Sequence, residues 1–246
     1  MKTSDHPKPS KKCGECNKDG DSFCNLPLAV ENELRTLAKS RPYSRGSALF
    51  MEGQPAKGVF LLCAGRVKLS TYSEEGRAII LRIAERGEVL GLSSVISGLP
   101  YEKTGHASED CVASFIKKKD FLDFLRTHPD AALNALRQLS NNYHKAHVQI
   151  CSLGLSSSVG DKLAKLLLQW CESRPGNGVA AYIPRNYTHG DIAEMIGTSR
   201  ETVTRLLSDF RDRGLIELSK TELCVPDRQL LKGAIGTKHR NGNGHV

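Results

Sequence analysis

No apolar run in this chain reaches the roughly 18 residues needed to span a bilayer, so a membrane-embedded protein is not expected. The N-terminal MKTSDHPKPSKK lacks the hydrophobic stretch of a secretory signal, which points to the cytoplasm. In that compartment the eight cysteines are expected as reduced thiols, metal ligands or redox sensors, not structural disulfides. No repeat of 20–50 residues is visible, which excludes solenoids and propellers. The eight histidines are scattered and only His106 falls near Cys111, so no Ser-His-Asp or Cys-His catalytic set can be assembled. An enzyme or electron carrier built on the cysteines is the competitor from another class. Negative charge is also in deficit: 27 acidic residues face 35 basic ones, a net charge of +8, which suits a nucleic-acid binder.

The most informative stretch is THGDIAEMIGTSRETVTRLLSDFRDRG, residues 188–214. Thr188 can cap a first helix, with Asp191 three residues on completing a capping-box-like pair. Ile192, Ala193 and Ile196 form its apolar side, and Gly197 allows the left-handed backbone of a sharp turn. Ser199 caps a second helix in which Val203, Leu206, Leu207 and Phe210 recur at helical spacing, and Gly214 ends it. This spacing predicts a helix-turn-helix, whose second helix enters the DNA major groove N-terminus first. The residues presented to DNA would be Thr188, Ser199, Arg200, Glu201, Thr202, Thr204 and Arg205. Arg200 and Arg205 can fork onto guanine, Glu201 can accept from cytosine, and Thr204 can touch a thymine methyl. The following LIELSKTELCV reads as two short strands around a Lys220–Thr221 turn, the winged form of the motif.

Upstream, residues 1–25 are a cysteine-containing segment, polar and expected to be disordered over residues 1–12. Cys13 and Cys16 form a C-x2-C pair, and a loop of seven residues separates them from Cys24. Three thiolates so placed can converge on zinc or an iron–sulfur cluster, both of which want a fourth ligand. Residues 26–40 read as an amphipathic helix with Leu34, Leu37 and Ala38 on one face, stopped by Pro42. Residues 26–128 otherwise alternate short apolar runs with glycine. Strands are expected at Val59–Leu62, Val67–Leu69, Ala78–Leu81 and a late one beginning at Cys111, giving an all-β sensor domain. Cys63 is expected in its core.

Residues 129–154 are a long helix. Ala132, Leu136, Leu139, Tyr143, Ala146, Ile150 and Leu153 follow spacings of 4, 3, 4, 3, 4 and 3, a heptad seam expected to pair two copies. Gly154 and Ser156–Ser158 form a hinge. A helix over DKLAKLLLQWCES then leads through a Pro175–Gly178 loop into the DNA module, which spans 155–232. Cys171 and Cys224 are expected to be packing residues, and the basic, glycine-rich tail 233–246 is expected to be disordered.

A β domain, a dimer helix and a winged helix in this order resemble the Crp–Fnr family of transcription regulators. The likeness covers about residues 26–232 and is most specific in GDIAEMIGTSRETVTRLLSDFRDRGLIEL. It implies an α+β chain with a β-roll sensor of the cyclic-nucleotide-binding kind, homodimerisation, a palindromic double-stranded DNA site and RNA polymerase as partner. The cyclic-nucleotide branch carries a glutamate for the ribose and an arginine–serine pair for the phosphate. Leu92 stands at the glutamate position, and Lys103 and Thr104 stand at the pair, so cyclic AMP is not expected, although another anion fits. The oxygen-sensing branch holds a 4Fe–4S cluster on three N-terminal cysteines and one from the β domain. Cys13, Cys16 and Cys24 resemble the first three, and Cys111, about two residues early, is the implied fourth. Two sensing modes follow: an N-terminal cluster, or a small-molecule, thiol or zinc switch without one.

Overall fold

The computed structural model describes residues 22–172, 181–184, 187–219 and 222–236. Cys13, Cys16, the Pro175–Gly178 loop, the Lys220–Thr221 turn and tail residues 237–246 lie outside them. The chain divides into one compact unit through Ala146 and a second from His147, the division falling within one long helix.

The first unit opens with α1 (Leu28–Leu37), followed by the strands β1 (Lys39–Tyr43), β2 (Ala48–Phe50), β3 (Gly58–Ala64), β4 (Val67–Tyr72), β5 (Ala78–Ala84) and β6 (Val89–Leu90). A short α2 (Leu92–Ser97), β7 (Thr104–Ala107), β8 (Cys111–Lys117) and α3 (Lys118–Thr127) complete it, before α4 (Pro129–Leu155) carries the chain onward. Two four-stranded antiparallel sheets form, ordered β1-β8-β3-β6 and β2-β7-β4-β5. The amphipathic helix expected over 26–40 is real but ends at Leu37. Pro42 does not stop it. It lies inside β1, opposite Val112, on the edge strand of its sheet, where a missing N–H is tolerated.

β3 is apolar along its whole length because both of its faces are covered. Phe60 and Leu62 join Val67, Leu69, Phe50 and Ala113 between the sheets. Val59, Leu61 and Cys63 point the other way and pack with Leu34 of α1, Phe121 and Phe124 of α3, and Ala131 and Ala135 of α4. This alternation follows from the two-residue period of a strand. Cys63 is a core residue as expected, its sulfur 3.2 Å from the Ser114 hydroxyl. Gly58 must be glycine: a Cβ there would sit 2.1 Å from the Ile116 carbonyl oxygen.

α4 presents two faces. Ala131, Ala135 and Gln138 are buried against the sandwich. Leu136, Tyr143 and Ile150, each seven residues from the next, are 62%, 76% and 70% exposed. The buried Gln138 amide is the anchor. Its Oε1 accepts from the Val89 N–H at 2.9 Å, and its Nε2 donates to the Val89 carbonyl at 2.8 Å. The side chain thereby closes the free edge of β6 as a further strand would.

The second unit contains α5 (Val159–Glu172), β9 (Ala181–Pro184), α6 (His189–Ile196), α7 (Arg200–Asp212), β10 (Glu217–Leu218), β11 (Glu222–Val225) and α8 (Arg228–Gly233). The two expected wing strands are β10 and β11, and β9 adds a third in the order β10-β11-β9. Cys171 and Cys224 are buried, as expected of packing residues. The tail is described as far as Gly236, whose N–H donates to the Asp161 carboxylate at 3.0 Å. Among the described residues no helix is long and apolar enough to cross a membrane.

Replacing Gln138 by Leu keeps the volume but strands both Val89 backbone groups. At about 1–3 kcal/mol for each of the two unsatisfied buried groups, the variant should lose about 2–6 kcal/mol in urea unfolding. A loss below about 1 kcal/mol would show that water or a shifted neighbour replaces the amide.

Candidate nucleic-acid interface and sensor pocket

Local chemistry builds the recognition element. Thr188 Oγ1 accepts from the Asp191 N–H at 3.1 Å, and the Asp191 carboxylate accepts from the Thr188 N–H at 2.8 Å, a complete capping box. Gly197 closes α6 at φ 66°, a left-handed conformation that costs glycine least. Ser199 Oγ accepts from the Thr202 N–H at 3.2 Å and starts α7. Ile192, Ala193, Met195 and Ile196 of α6 and Val203, Leu206, Leu207 and Phe210 of α7 are buried. This leaves Ser199, Arg200, Glu201, Thr204 and Arg205 exposed together, with Thr202 half-buried beside them.

The leading edge is partly organised from within. The Glu201 carboxyl is held below the usual carboxylate range, first by its own backbone N–H and then by the Ser199 hydroxyl, so it is an acceptor at neutral pH. Thr204 Oγ1 donates to the Arg200 carbonyl at 3.0 Å and lies 2.8 Å from His189 Nδ1. With the hydroxyl engaged, the Thr204 methyl is the group left for a thymine. His189 was not marked by the sequence pattern, because its partner stands 15 residues away.

The first unit contains a cavity of about 290 Å³ lined by Phe50, Leu69, Arg82, Leu92, Lys103 and others, and on one side by Leu139, Asn142, Tyr143 and Ala146 of α4. Leu92 is buried in this wall and offers no acceptor for a sugar hydroxyl. Thr104 does not join it: its hydroxyl accepts from the Glu52 N–H at 3.0 Å. The residues present therefore do not fit a cyclic nucleotide held by the glutamate, arginine and serine of that branch.

The cysteine set is divided. Cys24 is buried with Phe23, Leu26, Leu34 and Cys63 on the helix-covered face of the β1-β8-β3-β6 sheet. Cys111 belongs to the core between the two sheets, with Phe50, Phe60 and Ala113. Strand alternation explains the split, because Val112 and Ile116 of β8 face the helices while Cys111 and Ala113 face inward. The Cys111 thiol is pushed up to about 11, first by burial and then by Glu109 and Asp110, which opposes the thiolate a metal requires. The structure thus does not bring Cys111 and Cys24 to one point. Among the described residues no group of three or more His, Cys, Asp or Glu side chains could hold a metal.

A sandwich with an open-sided cavity, a long helix with an exposed apolar stripe and a winged helix with a basic leading edge define a two-part DNA-binding regulator. Residues 161–234 match the Crp-like helix-turn-helix domain and residues 40–128 match the cyclic nucleotide-binding domain. The chain is 31% identical over 189 residues to the global nitrogen regulator of Synechocystis sp., covering 74% of this chain and 82% of that protein. It is 26% identical over 191 residues to a CRP-like cAMP-activated global transcriptional regulator of Mycobacterium tuberculosis, covering 77% and 84%. Among solved structures, FixK2 from Bradyrhizobium japonicum superposes with TM-score 0.69 at 20% identity, covering 82% of this chain and 99% of that one. A double mutant of CooA from Carboxydothermus hydrogenoformans gives 0.71 at 23%, covering 85% and 92%, and shares the fold. The chain belongs to the Crp/Fnr family and is a DNA-binding transcription regulator. Its relatives are regulators, not enzymes, and proteins of this family typically act as dimers.

If Arg200 reads a guanine, Arg200→Ala should cost about 1–3 kcal/mol on the preferred site and much less on scrambled DNA. Fluorescence anisotropy on the two duplexes checks this, and an equal loss on both would reduce Arg200 to a phosphate contact.

Proposed function

We propose that this regulator works in the cytoplasm as a homodimer on a palindromic duplex containing guanine, with half-site centres about one helical turn apart. The Leu136, Leu139, Tyr143, Ala146, Ile150 and Leu153 seam would join the two copies, and RNA polymerase would be the machinery acted upon. Occupancy of the sandwich cavity sets the DNA affinity. One observation carries this reading: Leu139, Tyr143 and Ala146 of α4 line the cavity and also belong to the heptad seam. A ligand touching the α4 wall changes the packing of the helix that would position both DNA-reading modules. A tenfold change in DNA affinity needs only about 1.4 kcal/mol of differential ligand binding between the two states.

Sedimentation velocity tests the assembly. Wild type should run at twice the 27.0 kDa chain mass. Ile150→Asp, which places a charge in the seam, should run as a monomer and lose affinity for the palindrome. A dimeric variant with unchanged DNA binding would overturn the assigned seam.

A cluster on Cys13, Cys16 and Cys24 is the second reading. The supporting observation is that Cys63 shares with Cys24 the helix-covered face of the sheet, so a fourth thiol other than Cys111 stands on that side. Protein purified without oxygen should then be brown, carry about four irons per chain with matching sulfide, and bleach in air. A colourless, iron-free protein would remove this reading. Zinc in that protein would mark a structural clip.

A further inference from the structure

α6 and α7 are joined on the exposed side of the motif by a polar contact that the helix caps do not require. His189 is the first residue of α6, and the Thr188–Asp191 capping box fixes the backbone on which it stands. Its Nδ1 lies 2.8 Å from the Thr204 hydroxyl, on the second turn of α7. The same hydroxyl is 3.0 Å from the Arg200 carbonyl, one turn back in α7. A hydroxyl has a single proton. Thr204 gives it to the Arg200 carbonyl, so the contact with His189 is a donation from Nδ1–H into the Thr204 oxygen. That selects the Nδ1–H tautomer of the neutral ring, and the imidazolium carries the same proton.

The donation acts on the Thr204 rotamer. A threonine in a helix divides between two rotamers, according to whether its hydroxyl bonds back to the carbonyl of the preceding turn. The two point hydroxyl and methyl in different directions. A hydrogen bond of ordinary net strength biases that choice by roughly two- to tenfold. Thr204 is exposed, and with its hydroxyl held by both Arg200 and His189 the methyl is what it offers a base. A hydroxyl turned outward could donate to thymine O4, guanine O6 or a purine N7, and would discriminate little. A methyl finds its apolar match only in the thymine methyl.

We propose that His189 is a positioning residue for DNA reading: by holding the Thr204 hydroxyl it makes Thr204 a methyl reader and imposes a thymine at one base pair of each half-site. This rests on the reading that Thr204 faces a base edge, and it names what sets the choice there.

The test uses the full chain and a duplex that it selects from a randomised library. Each thymine is replaced in turn by deoxyuridine, which keeps O4 and removes only the methyl. Wild type should lose about fourfold in affinity at one thymine per half-site, the worth of one buried methyl, and Thr204→Ser should show no such loss. His189→Ala should cut the thymine-to-uracil ratio below about twofold, because the freed hydroxyl can donate to the O4 that both bases share. His189→Asn, whose amide nitrogen stands near the place of Nδ1, should keep most of the ratio. Each variant is first shown to unfold cooperatively, and a merely weakened motif lowers affinity on both duplexes without moving their ratio. A wild-type ratio near one at every thymine, or a ratio that survives Thr204→Ser, overturns the reading of Thr204 and the proposal with it. A ratio lost in Thr204→Ser but intact in His189→Ala overturns the role of His189 alone. An Asn variant that behaves like the Ala variant assigns the effect to ring bulk and overturns the hydrogen bond.

Discussion

The bidentate hydrogen bonding between the Gln138 amide and the Val89 backbone is the constraint on which the rest of the first unit depends. β6 is only two residues long and lies at the edge of its sheet, so its outward backbone groups need partners in a place that excludes water. Gln138 supplies both. In doing so it fixes the rotation of α4 about its own axis, because a helix turns about 100° per residue and one anchored side chain sets the direction of the others. With Gln138 inward, Leu139, Asn142 and Tyr143 fall on the cavity wall, while Leu136 and Ile150 project outward. A single polar contact thereby divides one helix among core, sensor and assembly.

Sensing in such a fold lies in particular side chains, not in the architecture, because one scaffold hosts unrelated effectors. Here the substitutions on the cavity wall say more than the family does. Leu92 removes a hydroxyl acceptor, Thr104 turns its hydroxyl to the Glu52 backbone, and Lys103 stands partly buried with the Glu102 carboxylate acting on it as an opposite charge. Lysine also lacks the planar fork with which arginine grips a phosphate, so this position offers only a point charge. The inward strand face of Cys111 likewise separates this sensor domain from one that clasps a metal between Cys24 and Cys111.

The helix-turn-helix was legible in the sequence down to individual caps because its signals are local. Thr188 and Asp191 are three residues apart, Gly197 supplies its own turn, and the apolar stripe of α7 repeats every three or four residues. The β class of the sensor was legible from its glycine spacing, and β3, β4 and β5 from their apolar runs. β1, β2, β6 and β7 were not, since short strands carry too little alternation and β1 contains a proline that reads as a breaker. α3 escaped for the opposite reason: KKDFLDFLRT shows only Phe121 and Phe124 as deeply buried anchors, at a spacing a loop could also have. β9, in AYIP, is too short to stand out in the sequence. The inward direction of Cys111 and the anchoring role of Gln138 depend on partners far along the chain, 49 residues away for Gln138, and no local pattern encodes them.

If Gln138 couples the sandwich to assembly on DNA, the Val89 amide is its reporter. Its hydrogen exchange, followed by NMR in the free protein and bound to its operator, measures the opening of that contact directly. The account predicts exchange at least about tenfold slower in the DNA-bound protein, equivalent to about 1.4 kcal/mol of added protection. An unchanged Val89 exchange rate, with α4 amides equally unaffected, would mean that the helix is a passive spacer, and the coupling described here would be wrong.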